Sequence, residues 1–122
     1  MTFRVMVVKK DGRPIGVRAA QINGRVVYLA LRDEPEPMNW YDAVKVGIPS
    51  KEEWMAIAEN FDAVNKALIK VGGEPLKKNW YWSSSEGSLG GAWGSSFNGS
   101  NGLSNYPKRS SHTVYVRPVL AL

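Results

Sequence analysis

The chain has 122 residues, a formal net charge of +5 and no cysteine. This length suffices to bury one hydrophobic core, and the lack of cysteine excludes disulfides, thiolate metal sites and a thiol nucleophile. No apolar run approaches the roughly 20 residues of a membrane helix, and no secretory leader follows Met1, so we expect a single domain over residues 1–122 without membrane insertion.

The charge is distributed unevenly along the chain. Residues 1–32 contain seven Lys or Arg and one acid, whereas residues 33–62 contain two basic and eight acidic residues. A basic segment can bind phosphates, an acidic membrane surface, or the acidic middle of the same or another chain. Lys and Arg also keep exposed strand edges from pairing, and we favour this interpretation over nucleic-acid binding.

Residues 1–32 predict an antiparallel β-meander. Three apolar, β-branched runs are separated by Asp11-Gly12 and Asn23-Gly24. Both dipeptides are typical of two-residue hairpin turns, because both turn residues must tolerate positive φ. These N-terminal strands are also the candidate contact for a second copy of the chain or for a partner domain.

The next segment predicts a loop and a short helix. Residues 33–37 (DEPEP) break the sheet, because proline cannot donate to a strand ladder and restricts the residue before it. The three carboxylates lack the spacing of a calcium loop, so we expect no metal here. Asn39 can cap a helix from Trp40 to Val46, which Gly47 closes.

The clearest helix start lies at Ser50, where Glu53 completes a capping box. The pattern predicts one long helix that ends at Gly72-Gly73. Apolar residues at spacings of three and four form a stripe for burial against a sheet. The stripe consists of Trp54, Ile57, Ala58, Phe61, Val64 and Leu68.

The C-terminal third returns to strand character. Trp80 and Trp82 share one face of a predicted strand, and Trp93 and Phe97 recur at strand spacing. Gly and Ser fill much of residues 87–112, which is typical of a flexible linker, but the two aromatics favour an ordered, loop-rich surface. The order strands, helices, strands predicts an α+β fold rather than a wound parallel sheet.

Several motifs occur in a fixed order through the second half of the chain. They are IPSKEEW at 48–54, YWSSSE at 81–86, Ala92-Trp93, Phe97, Lys108 and VRPV at 116–119. In combination they resemble the variable proteins of diversity-generating retroelements, over roughly residues 38–122. The resemblance implies a C-type lectin-like fold with antiparallel sheets, two helices and a loop-rich C-terminal half. It also implies that error-prone reverse transcription rewrites adenines near the end of the gene, commonly in Asn codons.

This mechanism predicts a bias in composition. An Asn codon that is randomised at its two adenines cannot give Met, Trp, Gln, Glu or Lys. Residues 87–114 contain only Trp93 and Lys108 from this set, and both belong to the motifs, whereas residues 1–86 contain 24 such residues. This depletion agrees with randomised Asn codons, although an ordinary Gly/Ser-rich loop would also contain few of these five residue types.

The resemblance implies a replaceable ligand-binding surface on a fixed aromatic frame, which we define as Trp82, Trp93 and Phe97. The candidate ligand-binding positions are Gly87, Ser88, Leu89, Gly90, Gly91, Gly94, Ser96, Asn98, Ser100, Asn101, Leu103, Asn105, Tyr106, Arg109, Ser110 and His112. Gly and Ser offer little contact area, so we expect weak binding. The best anchors are Leu103, Tyr106, Arg109 and His112.

Catalysis is not expected. His112, the only histidine, has no orienting partner in the motifs, and residues 83–85 (SSS) lack the Gly-flanked turn and base of a serine nucleophile. We expect these serines and Glu86 to satisfy loop amides or one another. No cofactor is implied.

The leading interpretation is therefore a non-enzymatic module at a phage or cell surface, which binds a protein or glycan. The second is a lectin-like domain with fixed carbohydrate specificity, although the paired Glu-Pro and Trp-Asn-Asp calcium motifs do not occur near the C-terminus. The third is a basic nucleic-acid binder that acts through residues 1–32. A basic module of this kind would bind DNA with a steep salt dependence.

Overall fold

The computed structural model describes residues 3–97, 102–110 and 114–122, which form two β-sheets and three helices in an α+β arrangement. The order strands, helices, strands is the predicted one. The elements are β1 (Met6–Lys10), β2 (Arg13–Ile22), β3 (Arg25–Ala30), α1 (Trp40–Val46), α2 (Lys51–Glu59), α3 (Phe61–Lys70), β4 (Trp80–Glu86), β5 (Gly91–Ser96), β6 (Gly102–Pro107) and β7 (Val114–Tyr115).

The first sheet is the predicted antiparallel meander, with the order β1-β2-β3. Both turns have the expected backbone, with positive φ at Asp11 (52°), Gly12 (79°), Asn23 (51°) and Gly24 (76°). Two successive residues with positive φ match the right-handed twist of the flanking strands. The local turn chemistry therefore sets the register of the strand pairs next to each turn, at Lys10 and Arg13 and at Ile22 and Arg25.

The end of the chain covers the outer edge of β3. The Ala30 N–H donates to Pro118 O, and the Leu120 N–H donates to Tyr28 O, both at 2.9 Å. The Leu120 side chain also lies against Gly16, where a Cβ would be 2.4 Å from Leu120 Cδ1. Residues 118–120 thus join the two ends of the fold.

The helices agree with the sequence at their starts. Asn39 caps α1, and Ser50 and Glu53 form the predicted capping box of α2. The prediction of one long second helix is wrong, because the chain breaks at Asn60 into α2 and α3. The Asn60 amide donates to Ala19 O in β2 at 3.2 Å, which fixes the break against the first sheet.

The second sheet has the order β6-β5-β4-β7. β4, β5 and β6 pair antiparallel, but β7 pairs parallel to β4. The expectation of purely antiparallel sheets is therefore wrong at this pair. A hairpin joins only antiparallel neighbours, and β7 is instead reached from β6 at the opposite edge of the sheet.

Two hydrophobic clusters lie on opposite faces of β4. Tyr81 faces the first cluster, where the predicted helix stripe packs between the first sheet and Phe97. Trp82 faces the second cluster, with Ala43 of α1 and Val116 near the chain end. The period of two in a strand thus places neighbouring aromatics in different cores.

Candidate functional site

The candidate ligand-binding positions that the structure describes lie on β5, on β6 and on the turns beside them. Ser88, Leu89, Gly90, Asn105 and Arg109 are exposed. Gly87, Leu103, Tyr106 and Ser110 are half-buried, and Asn98, Ser100, Asn101 and His112 fall outside the described residues. The exposed and half-buried positions come from both ends of the β5–β6 hairpin.

Three candidate positions, Gly91, Gly94 and Ser96, are buried and cannot offer their side chains to a ligand as predicted. β5 is an inner strand, so neighbouring strands and side chains cover it. A Cβ at Gly94 would lie 3.3 Å from Tyr106 Cδ2. Their small size therefore serves packing in this chain.

The aromatic frame is buried at two of its three positions. Trp82 is fully buried and Phe97 is 6% exposed, whereas Trp93 is half-buried. The Trp82 indole N–H donates to Met38 O at 2.7 Å, and Lys51 Nζ lies 5.1 Å from the Trp93 ring centroid. The two tryptophans are thus each held by a specific polar contact, whereas Phe97 is held by packing against Trp54, Phe61 and Tyr81.

Tyr106 rises from β6 beside this frame. Its ring packs edge-on against Trp80 at 5.3 Å and against Trp82 at 6.4 Å between centroids. Because Tyr106 is half-buried, one part of the ring is fixed by the core and the rest is open to solvent. A tyrosine held in this way binds a partner at low entropic cost.

Asn105 locks the turn between β4 and β5. Its side-chain amide donates to Ser88 O at 3.1 Å. A Cβ at Gly87 would lie 1.7 Å from Asn105 Oδ1, and a Cβ at Gly91 would lie 2.6 Å from Asn105 Nδ2. Side chains at 87 and 91 are therefore incompatible with this orientation of Asn105.

Lys108 links the turn after β6 to α1. Its Nζ lies 2.6 Å from Glu86 Oε2 and 4.5 Å from the Trp40 ring centroid. The Trp40 N–H also donates to Lys108 O at 2.9 Å. This contact fixes the base of the turn that carries Arg109.

The side chains of Ser83 and Ser85 have structural partners, as predicted, whereas Ser84 is exposed. Ser83 Oγ donates to Trp93 O at 2.7 Å and accepts from the Ser85 N–H at 3.2 Å. Ser85 Oγ accepts from the Lys51 N–H at 2.9 Å. These bonds tie β4 to β5 and to the start of α2.

The sequence reasoning missed a buried polar network around Asp33. Arg117 Nε donates to Asp33 Oδ1 at 2.7 Å, while Lys77 Nζ (2.6 Å) and the Tyr81 hydroxyl (2.9 Å) both donate to Asp33 Oδ2. The Arg117 side chain also donates to Ala30 O at 3.0 Å. Asp33 therefore organises residues that lie far apart in the chain.

The network shifts the protonation of its members. Burial and the nearby charge of Asp33 raise the pKa of Tyr81 above its ordinary value of 10.0. Burial lowers the pKa of Lys77, but the hydrogen bond and charge of Asp33 outweigh it and the pKa is raised. The Asp33 N–H donates to Glu74 and lowers the pKa of that carboxyl.

Within residues 3–97, 102–110 and 114–122, no group of three or more His, Asp or Glu side chains is arranged to hold a metal ion. None of the helices in this part of the chain combines the length and apolarity needed to span a membrane. Comparisons of the chain with protein-family models, with curated proteins and with solved structures found no match.

Proposed function

We propose that the chain is a non-enzymatic ligand-binding module with a C-type lectin-like fold, displayed at a phage or cell surface. Retroelement mutagenesis would vary its C-terminal surface so that different copies recognise different protein or glycan targets. The observation that carries the proposal is the contrast between buried Trp82 and Phe97 and the accessible Leu103, Tyr106 and Arg109, all of them on the second sheet or within two residues of its strands.

This contrast supports the proposal energetically. Replacement of a buried large aromatic typically costs about 3–5 kcal/mol, whereas most surface replacements stay within about 0.5 kcal/mol. A chain with this division can exchange its outer side chains and keep its fold. Replacement of the buried motif residues Trp82 and Phe97 should therefore destabilise the fold strongly, whereas replacement of the exposed Arg109 should change its stability little.

The ligand-facing surface proposed for this copy is smaller than the sequence alone indicated. We define the display surface as Ser88, Leu89, Leu103, Asn105, Tyr106 and Arg109, all of them exposed or half-buried. Tyr106 and Arg109 supply the aromatic and guanidinium chemistry that dominates interface energies. Ser88 supplies an adaptable hydroxyl, whereas the exposed Asn105 amide is held in place by its bond to Ser88 O.

Sequencing of this gene from many individuals of the source population tests the diversification. We expect amino-acid differences to concentrate in the codons of the display surface, at adenines of a downstream repeat, while Trp82 and Phe97 stay unchanged. The exposed α3 residues Lys66 and Ile69 are the matched control. Equal variation at Lys66 and Ile69 would contradict diversification of the display surface.

An array of surface proteins and glycans tests ligand binding. We expect the chain to bind weakly, and the double change Tyr106→Ala and Arg109→Ala to abolish binding. Lys66→Ala with Ile69→Ala is the control and should leave it unchanged. Nanomolar binding that survives the Tyr106 and Arg109 changes would refute the assigned surface, and a calcium-dependent rise in Tm would favour the fixed-specificity lectin instead.

A further inference from the structure

Two open grooves lie on the first sheet and its helices, away from the display surface. The basic groove runs between β1 and the end of α3, has a volume of about 350 Å³, and is lined by Met6, Val7, Lys9, Ala67, Lys70 and Val71. The acidic groove runs between the end of β2 and α2, also has about 350 Å³, and is lined by Gln21, Ile22, Glu52, Met55, Ala56 and Glu59.

Each groove carries one protruding methionine. Met6 is 50% exposed in the basic groove, and Met55 is 49% exposed in the acidic groove. A flexible thioether side chain fills irregular gaps well. Each groove therefore offers a protruding apolar side chain, its methionine, beside an apolar depression that could receive a side chain from another molecule.

The charges at the two grooves are opposite in sign. Lys9 and Lys70 are exposed at the basic groove, and Glu52 and Glu59 are exposed at the acidic groove. Across the described ranges of the chain, none of these four side chains has an ion-pair partner. All four are available to another molecule.

The shape of β1 favours contact through side chains over the addition of a strand. The register of β1 shifts between Val8 and Lys9, and Lys9 and Lys10 follow at the edge. A bulge together with lysines is a common device against edge-to-edge pairing. A partner at this edge is therefore expected to use the groove.

The charges also decide which partner fits. Two basic grooves face to face would place lysines against lysines, and two acidic grooves would place glutamates against glutamates. A basic groove against an acidic groove pairs opposite charges and lets Met6 and Met55 enter each other's hollow. Like charges across an interface exclude a partner, whereas opposite charges select it.

We propose that this chain self-associates by docking the basic groove of one copy onto the acidic groove of a second copy. The contact is heterologous, because two different surfaces of the same molecule meet. No residue of either groove belongs to the display surface. A test of this docking is therefore independent of a test of the proposed ligand binding.

Charge exchange in the full chain tests this docking by sedimentation velocity over a concentration series. We expect the average mass of the unchanged chain to rise above the 13.5 kDa monomer with concentration. The variant Lys9→Glu with Lys70→Glu, and the variant Glu52→Lys with Glu59→Lys, should each remain monomeric. An equimolar mixture of the two variants should recover the association, because each groove then meets its opposite charge.

Two controls separate the docking from a general effect of charge. Lys45→Glu with Lys78→Glu changes two exposed lysines outside the grooves and should associate like the unchanged chain. Met55→Ala should weaken association about tenfold, since it removes one buried apolar side chain from each contact. Circular dichroism verifies that every variant is folded.

A chain that remains monomeric at all concentrations would overturn the proposal. Association of either charge variant alone at the strength of the unchanged chain would do so too, as would a mixture that stays monomeric. An acidic peptide or another protein that binds the basic groove, while the chain itself stays monomeric, would assign the groove to that partner instead.

Discussion

Arg117 and Asp33 form a buried ion pair, with Arg117 Nε 2.7 Å from Asp33 Oδ1, between the end of the chain and the loop after the first sheet. The Asp33 side chain is 2% exposed and that of Arg117 is fully buried. Loss of Arg117 would leave Asp33 Oδ1, Ala30 O and Glu74 O without this donor, although Lys77 would still pair with Asp33 Oδ2. Buried acceptors without a donor are far more costly than the loss of a surface pair.

We therefore predict that Arg117→Met lowers the free energy of unfolding by about 3 kcal/mol or more. Lys77 and Tyr81 still bond to Asp33, but the oxygen that faced Arg117 loses its donor. Denaturant unfolding followed by fluorescence measures the change. Lys45→Met, at an exposed site, is the control and should cost no more than about 0.5 kcal/mol. Equal costs for the two variants would contradict the assigned role of the ion pair.

The contact between Gly87 and Asn105 predicts a coupled effect on stability. Gly87→Ala should cost about 1 kcal/mol, because Asn105 must turn away from the new Cβ and give up its hydrogen bond to Ser88 O. In a chain that already carries Asn105→Ala, Gly87→Ala should cost much less. The coupling energy between the two substitutions should be at least about 0.5 kcal/mol. Thermal or denaturant unfolding of the four chains of this double-mutant cycle gives the coupling.

Gly102→Ala is the matched control for this cycle. A Cβ at Gly102 would lie 3.7 Å from Trp80 Cη2, which is ordinary van der Waals distance. Gly102→Ala should therefore lower the free energy of unfolding only slightly, and by the same amount whether residue 105 is Asn or Ala. Additive effects of Gly87→Ala and Asn105→Ala would show that Asn105 does not restrict position 87.

The three consecutive serines of β4 allow a comparison within one strand. Ser83→Ala should cost about 1–3 kcal/mol, because Trp93 O and the Ser85 N–H lose their buried partner. Ser84→Ala, at an exposed position, should be nearly neutral. Denaturant midpoints of the two variants test this difference, and a reversed order would contradict the structural role of Ser83.

The raised pKa of Tyr81 predicts a loss of stability at alkaline pH. The unfolded phenol releases its proton near pH 10, whereas the buried phenol beside Asp33 keeps it to higher pH. The stabilisation is therefore complete below about pH 10 and declines as the pH rises further. Lys77 acts in the same direction, because its pKa is also raised.

Thermal midpoints from about pH 8 to 11 measure this dependence. Tyr81→Phe should flatten the alkaline decline while it lowers stability at neutral pH, because the hydroxyl bond to Asp33 is lost. Tyr41→Phe, at an exposed site, should keep the slope of the unchanged chain. An alkaline decline as steep in Tyr81→Phe as in the unchanged chain would exclude Tyr81 as its source.

The elements that the sequence predicted correctly are fixed by local chemistry. Asp11-Gly12 and Asn23-Gly24 form their turns from their own φ preferences, and Ser50 with Glu53 caps α2 within four residues. Such features depend on residues that are neighbours in the chain, so they can be predicted without knowledge of the tertiary structure.

The features that the sequence did not reveal depend on distant contacts. The break at Asn60 preserves the apolar spacing, so the helical pattern continues across it. Asp33 and Arg117 are 84 positions apart, and no local pattern indicates that they meet. The burial of Gly91 and Gly94 follows from strand order, because glycine is equally compatible with an exposed turn and a covered inner strand.

The location of Arg117 and of residues 118–120 after the display surface has a consequence for any mutagenic copying of this gene. A copy that shifts the reading frame before residue 114 would lose both the partner of Asp33 and the strip that covers the edge of β3. Folding would therefore favour the copies in which Arg117 and residues 118–120 stay in frame.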